Sequence, residues 1–287
     1  MVSENVAGGL RATITALMPG LRVSDAKVLR LVLDDAAFVQ SATTNEAAER
    51  AGVSPATIVR AARAAGFEGF GDLKRALLTD LALHAGTEPP EALTESSTVD
   101  DVSELVLTSH AASIGATRAT LDPAQLRNAV RLLAGADTIM VFGVGTSAAP
   151  AADAAYRWTA IGCRAHAPRD ARTAQLQARL LPTGSALVAV SNSGQSAETL
   201  AVADAAAAAG ASIVAITSFA SSPLAERATA LLVAGGPDLG LHMAASSSRL
   251  AHLAVVDILH AAISLADLPR ARRAIAIVND ISGEYSY

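Results

Sequence analysis

Leu187-Val188-Ala189-Val190-Ser191-Asn192-Ser193-Gly194-Gln195-Ser196-Ala197-Glu198-Thr199 opens as a short apolar run, breaks into a Ser/Gly-rich turn and continues as an alanine-rich helical pattern. A strand that empties its carboxyl end into a helix amino terminus leaves backbone N–H groups pointing outward. The helix dipole adds partial positive charge there. Small hydroxyl residues at that junction make it a place to hold an anion, and a phosphate in particular.

Outward from this stretch, strand and helix patterns alternate. The expected strands are Thr138–Phe142, a short one near 163–167, Ala186–Val190, Ser212–Ile216 and Ala230–Val233. Helical patterns lie at 123–134, 147–161, 170–181, 196–209 and 245–266, with a short one after Pro223. Asp122-Pro123 supplies a cap and first-position pair for the first of them. Such alternation predicts a parallel, doubly wound sheet flanked by helices, Rossmann-like, with ligands beyond the carboxyl ends of the strands.

A second strand end carries the same chemistry: Phe142-Gly143-Val144-Gly145-Thr146-Ser147. Its glycines let backbone approach a ligand, and Thr146 and Ser147 add hydroxyls at the next helix start. Neither turn contains Lys or Arg, so a phosphate there would rest on neutral donors and helix dipoles. Nucleotide motifs fit poorly. The third fingerprint glycine is replaced by Ala148, no well-placed carboxylate follows for a ribose, and no Gly-Lys-Ser/Thr occurs.

The amino-terminal part is helical throughout. Residues 4–18 read as an amphipathic helix closed by Met18-Pro19-Gly20. Ser24 is the expected N-cap of a helix over 25–34, and a polar turn follows at Ser41-Ala42-Thr43. In Thr44–Phe67, two short helices meet at Gly52. Thr43 or Thr44 caps the first; Ser54 caps the second, with Pro55 at its first position, and Gly66 ends it. This is helix-turn-helix spacing, although an ordinary capped helix pair has it too. On the first reading, Ser54, Ala56 and Thr57 face a DNA major groove, and Arg60 and Arg63 reach phosphates or guanine edges. Phe67 and Phe70 are expected core plugs. Lys74 and Arg75 are candidate phosphate contacts on an otherwise solvated helix face.

Gly86 to Thr98 is a Pro/Ser/Thr-rich tract without periodicity, so a linker is expected at 85–100. It separates a domain at 1–84 from one at 101–287, whose first helix is 101–118. The net charge is −5; residues 1–84 are neutral, with nine Lys/Arg against nine Asp/Glu. A DNA interface there would have to be a local basic face. Cys163 is alone, which excludes an intramolecular disulfide and a cysteine zinc cluster. No signal-peptide layout or membrane-length apolar run stands out, so no membrane partner and a cytoplasmic location are expected.

Taken in order, Gly52-Val53-Ser54-Pro55-Ala56-Thr57-Ile58-Val59-Arg60 with Gly66–Lys74, Gly143–Ser147, Ser191–Ser196, and Ala215–Ser218 with Ser222–Ala225 resemble the RpiR family of bacterial transcription regulators. In that family an amino-terminal helix-turn-helix is joined to a carboxyl-terminal SIS (sugar isomerase) domain. The similarity covers roughly 20–84 and 101–266. It implies a two-domain protein, all-α and then α/β with a five-stranded parallel sheet. It also implies a regulator of carbohydrate metabolism, homodimeric or homotetrameric, on a pseudo-palindromic double-stranded operator. The implied effector is a phosphorylated sugar held by Gly145, Thr146, Ser147, Ser191, Asn192, Ser193, Gly194, Gln195 and Ser196. Gln195 departs from the Glu that SIS domains often carry. No cofactor or metal is implied.

The alternative is a SIS-type sugar-phosphate isomerase with an accessory helical domain. Such an enzyme needs a base, commonly Glu, near the start of the last long helix. Met243-Ala244-Ala245-Ser246-Ser247-Ser248-Arg249 has no carboxylate there. Arg249 reads as a ligand or subunit contact, and His242 and His252 as loose candidates for catalysis. The expectation is therefore a non-enzyme.

Overall fold

The computed structural model describes residues 10–83, 93, 96–235 and 246–284. It falls into two compact units. One is Met1–Thr120 with Phe219–Ser221 and Gly235–Ser247; the other is Leu121–Ser218, Ser222–Ala234 and Ser248–Tyr287. Of the expected features, residues 4–9 of the first helix, most of the 85–100 linker, and His242 with Met243–Ala245 lie outside the described residues.

The first unit is helical: α1 Leu10–Leu17, α2 Val23–Asp34, α3 Ala36–Ser41, α4 Thr44–Ala51, α5 Pro55–Ala64, α6 Phe70–Leu83 and α7 Val99–Thr120. Its core joins Leu10 and Ile14 to Val28, Leu29 and Val32, then to Ile58, Ala61 and Ala62, with Phe67, Phe70 and Leu73 plugging it from below. Alanine at positions 47, 48, 61 and 62 brings helix backbones close, so a turn of only a few residues can join α4 to α5.

Two expectations change here. Helix α2 begins at Val23, with Arg22 in the cap position and no side-chain cap bond, so Ser24 lies inside the helix. Its hydroxyl is engaged by Arg60 instead. The stretch before Ser41 holds the short helix α3, capped by Asp35, whose carboxylate accepts from the Phe38 N–H. Helix α7 groups with the first compact unit, where it packs along α1, and the second unit begins at Leu121.

The second unit holds α8 Pro123–Ala134, β1 Ile139–Phe142, α9 Ala148–Ala160, β2 Ala165–His166, α10 Ala171–Arg179, β3 Ala186–Val190, α11 Ala197–Ala208, β4 Ser212–Thr217, β5 Ala230–Val233, α12 Ser246–Ala266 and α13 Leu268–Glu284. The five strands are all parallel, in the order β2-β1-β3-β4-β5. Side chains alternate between two cores, as the strand period requires. Val141, Val188, Val190, Val214 and Ile216 face α8, α9 and α12, where Trp158, Val255 and Leu259 are fully buried. Met140, Phe142, Leu187, Ala189 and Ala215 face α10 and α11 through Ala174, Ala178, Val202 and Ala206.

Helix α12 corrects a further expectation. Its stretch Ser248–Ala266 has mean hydropathy 1.5 and is, by length and composition, long and apolar enough to span a membrane. It packs Ala251, Val255, Val256, Leu259 and Ile263 into the core behind the sheet, and 33% of the stretch is buried.

Candidate effector site and nucleic-acid interface

The turn after β1 and the turn after β3 lie side by side, because their strands pair in register, Phe142 beside Ala189. Gly143 sits where they meet. A Cβ there would come 2.7 Å from the Ser147 carbonyl oxygen and 2.8 Å from that of Val190. Both obstacles are backbone, so glycine is required. Gly145 takes φ +59 and starts a short 3-10 turn into α9. This turn exposes Thr146 and buries Ser147.

The β3 turn is braced from three sides. The Gly194 N–H donates to Ser191 Oγ and Ser191 O, both at 3.2 Å, and the Leu224 N–H donates to Gly194 O at 3.0 Å. Gly194, at φ +64, lies so close to Ser222 that a Cβ would collide with its side chain. Asn192 is gripped from the end of β4. Its carbonyl oxygen accepts from the Ser218 N–H (3.0 Å) and Thr217 Oγ1 (3.1 Å), and its Oδ1 accepts from Ser218 Oγ (2.7 Å). The Ser218 hydroxyl also lies 2.9 Å from the Ala234 carbonyl oxygen and 3.3 Å from His252 Nε2.

His252 stands beneath this network, 1% exposed, with Nε2 3.2 Å from the Ala234 carbonyl oxygen. A carbonyl only accepts, so Nε2 carries the proton. Burial pushes the imidazole down to about 4, against the smaller upward pull of the Ala234 bond. It is a neutral structural group and does not fit the catalytic role for which the sequence offered it.

The nominated residues therefore divide. Ser191 is buried and Asn192 is held, so both build the turn. The Ser193 hydroxyl is half-buried and accepts from the Gln195 N–H at 3.2 Å. Gln195 is exposed. Ser196 occupies the cap position of α11 without accepting from a backbone N–H of its first turn, and its hydroxyl donates to the Glu198 side chain at 3.2 Å. The N–H groups that open α11 are thus unclaimed by their cap residue. Arg249 lies one turn before His252 on α12, half-buried. Sequence reasoning missed Ser218 and the bracing role of His252. Ser218 stood in the family-like run Ala215–Ser218 without a role assigned to it, and it follows β4 much as Ser191 follows β3.

In the helix-turn-helix, Thr43 and Glu46 form a reciprocal capping box on α4, and Gly52 turns the chain at φ +64. Ser54 caps α5 by accepting from the Thr57 N–H. Three of the nominated DNA contacts point elsewhere. Thr57 is 7% exposed, its hydroxyl 3.0 Å from that of Ser54, so it faces inward. Arg60 donates to the buried Asp25 carboxylate from Nη2 (2.7 Å) and Nε (3.0 Å), and from Nη2 to Ser24 (3.0 Å). Lys74 donates to the Ala42 carbonyl oxygen at 2.9 Å and lies 5.4 Å from the Phe70 ring centroid. Ser54, Ala56 and Arg63 remain at the surface; Arg63 Nε donates to the Glu68 carbonyl oxygen at 3.2 Å.

A family model for the helix-turn-helix domain of the rpiR family matches residues 8–84, and one for the SIS domain matches residues 132–262. An uncharacterized HTH-type transcriptional regulator of Haemophilus influenzae is 31% identical over 258 residues, covering 89% of this chain and 90% of that one. The chain belongs to the RpiR family. The bifunctional protein Glk of Burkholderia orbicola is 32% identical over 268 residues; the chain spans only 41% of that relative's length. Among solved structures, the Vibrio vulnificus NanR protein complexed with ManNAc-6P matches with TM-score 0.61 at 26% identity, over 96% of this chain and 99% of that one. The sugar isomerase domain of an RpiR transcription factor from Sphaerobacter thermophilus matches with TM-score 0.57 at 24% identity, over 62% of this chain and 98% of that one, which shows the shared fold. In RpiR-family terms, the paired turns Gly143–Ser147 and Ser191–Ser196 belong to the SIS domain, and Thr44–Ala64 is the helix-turn-helix.

Proposed function

We propose that this RpiR-type regulator binds its operator with an affinity set by a phosphorylated sugar held at the Gly143–Ser147 and Ser191–Ser196 turns. The observation that carries the reading is the junction at Ser196: an α11 amino terminus without a side-chain cap, beside two hydroxyl-bearing turns at the carboxyl edge of a parallel sheet. The phosphate would take the N–H groups of α11 with Ser193 and Ser196, while Thr146, Ser147, Gln195 and Arg249 line the sugar. NanR, crystallised with ManNAc-6P, makes acylated amino-sugar phosphates the first members of a test panel. DNA would be met by Ser54, Ala56 and Arg63 in the major groove. A homodimer or homotetramer would present paired helices to a pseudo-palindromic site in the cytoplasm.

The site is read as a sensor and not as an isomerase. Moving a proton between sugar carbons needs a base with a lone pair toward the substrate, and His252 is buried, neutral and engaged with Ala234 and Ser218. Ligand must bind two states of the protein unequally to change operator occupancy.

The test is fluorescence anisotropy on the promoter beside the chain's own gene, with and without a sugar-phosphate panel. A sequence-specific complex whose midpoint moves with one sugar phosphate is expected. Specific DNA binding indifferent to the whole panel defeats the effector reading. Aldose–ketose turnover that disappears in Ser193→Ala installs the isomerase instead.

A further inference from the structure

Residues 1–84 carry nine Lys/Arg and nine Asp/Glu, and six of the nine cations are already engaged. Arg50, Arg60 and Arg75 are paired with Asp35, Asp25 and Asp72. Arg11, Arg63 and Lys74 donate to the carbonyl oxygens of Leu33, Glu68 and Ala42. Arg22, Lys27 and Arg30 remain. All three are exposed, and none of their side chains has a hydrogen bond or an ion pair among the described residues.

The uncommitted positive charge thus sits on one helix, and that helix flanks α5: Arg60 Nη2 reaches Ser24 of α2 at 3.0 Å. Arg22 immediately precedes α2. At about 100° per residue, Lys27 stands roughly 60° from Ser24 and about a turn on, whereas Arg30 stands roughly 120° away. The acidic group on this face, Asp34, comes about two turns beyond Lys27. Helix α4, the one that in a helix-turn-helix ordinarily crosses the DNA backbone, has the opposite sign. Its exposed residues are Asn45, Glu46, Glu49 and Arg50. Of these, Arg50 is held by Asp35 and lies 5.1 Å from the Phe38 ring centroid.

We propose that the phosphate backbone of bound DNA crosses this domain on the α2 side of α5, where Arg22 and Lys27 each neutralise one phosphate. A cation without an internal partner gives up nothing when it takes a phosphate, whereas Arg60 would have to abandon a buried carboxylate. A backbone laid across α4 would meet Glu46 and Glu49, like charge on like charge. Contacts of this kind supply affinity and fix the orientation of the domain, and base reading stays with α5. The inference rests on the regulator reading, whose DNA partner it places, and it does not depend on whether a sugar phosphate binds.

The full chain is titrated by fluorescence anisotropy on the promoter beside its own gene across a potassium chloride series, with circular dichroism to verify folding. The slope of log affinity against log salt falls by about 0.9 for each phosphate contact removed. Arg22→Ala and Lys27→Ala are each expected to lower it by about one for every helix-turn-helix engaged, and to weaken operator and unrelated DNA by the same factor. Lys27→Arg keeps the wild-type slope, and Arg30→Ala, the control on the same helix, changes it by less than Lys27→Ala does. Glu49→Lys leaves it unchanged, where a backbone crossing α4 would steepen it. A specific complex whose slope ignores Arg22→Ala and Lys27→Ala, or steepens in Glu49→Lys, overturns the proposal and leaves the regulator reading standing. A chain that binds no DNA at any salt defeats the regulator reading and this proposal together.

Discussion

Arg60 on α5 and Asp25 on α2 form a two-point ion pair, Nη2 to Oδ1 at 2.7 Å and Nε to Oδ1 at 3.0 Å, in which the carboxylate is buried and the guanidinium 45% exposed. The pair ties the second helix of the helix-turn-helix to the helix behind it. The cationic head is therefore already bound within the protein.

Arg60→Ala should lower the thermal midpoint by stranding a buried carboxylate. Asp25→Ala should lower it too, with the two effects strongly non-additive. In DNA titrations against salt, Arg63→Ala should reduce the slope by about one, whereas Arg60→Ala should leave it unchanged. A reduced slope for Arg60→Ala would mean that the guanidinium reaches a phosphate after all.

Ser54→Ala removes the α5 cap and the partner of the Thr57 hydroxyl. Urea denaturation should record a loss of about 0.5–2 kcal/mol. Thr57→Val should alter stability without changing which operator bases are preferred. An altered base preference would put Thr57 back among the readers.

Gly143→Ala forces a methyl against two carbonyl oxygens that cannot rotate away. A loss of about 1–3 kcal/mol is expected, together with loss of effector response. Gly145→Ala meets open space but keeps a left-handed φ, and should cost about 1–2 kcal/mol. Gly143→Ala at undiminished stability would argue against the close approach of the β1 and β3 turns.

Ser191 and Ser193 should separate. Ser191→Ala strips a buried acceptor from the Gly194 N–H and should cost roughly 1 kcal/mol of stability. Ser193→Ala should spare stability and cost about 1–3 kcal/mol of sugar-phosphate affinity by calorimetry. Unchanged affinity would move the ligand elsewhere.

The imidazole of His252 gives the molecule a stability term of known sign. Its folded value, about 4, lies below the free value of 6.5. The unfolded chain therefore binds the proton first. The contribution is complete above 6.5 and is lost as pH falls toward 4, by roughly 3 kcal/mol at 1.36 kcal/mol per unit. His260 shifts the same way through burial, so the measure is the difference between wild type and His252→Gln. That difference should shrink as pH drops from 6.5 to 4, and a pH-independent difference would mean that His252 titrates freely when folded.

Much of this was legible in the chain. Strand and helix alternation from Ile139 to Val233, both glycine turns, and the caps at Ser54 and Asp122 follow from local chemistry, and each stands where the sequence placed it; the α4 cap, open between Thr43 and Thr44, falls to Thr43. What stayed hidden depends on partners distant in sequence. Ser24 looks like a cap until Arg60, thirty-six residues on, takes its hydroxyl. Thr57 looks like a reader because periodicity shows that a face exists without showing which side the core takes. Helix α13 was readable and passed over: Asp267 accepts from the Arg270 N–H, with Pro269 just inside the helix start.

The contact at Gly143 also bears on how such a protein changes its taste. Two strands' turns share that point, so a shift in one is felt by the other, and the anion seat proposed above would be inherited as one piece. Thr146 and Gln195 are exposed at its rim. Under the proposed function, a new metabolite would be adopted by exchanging rim side chains, one at a time, while the grip on its charged end is retained.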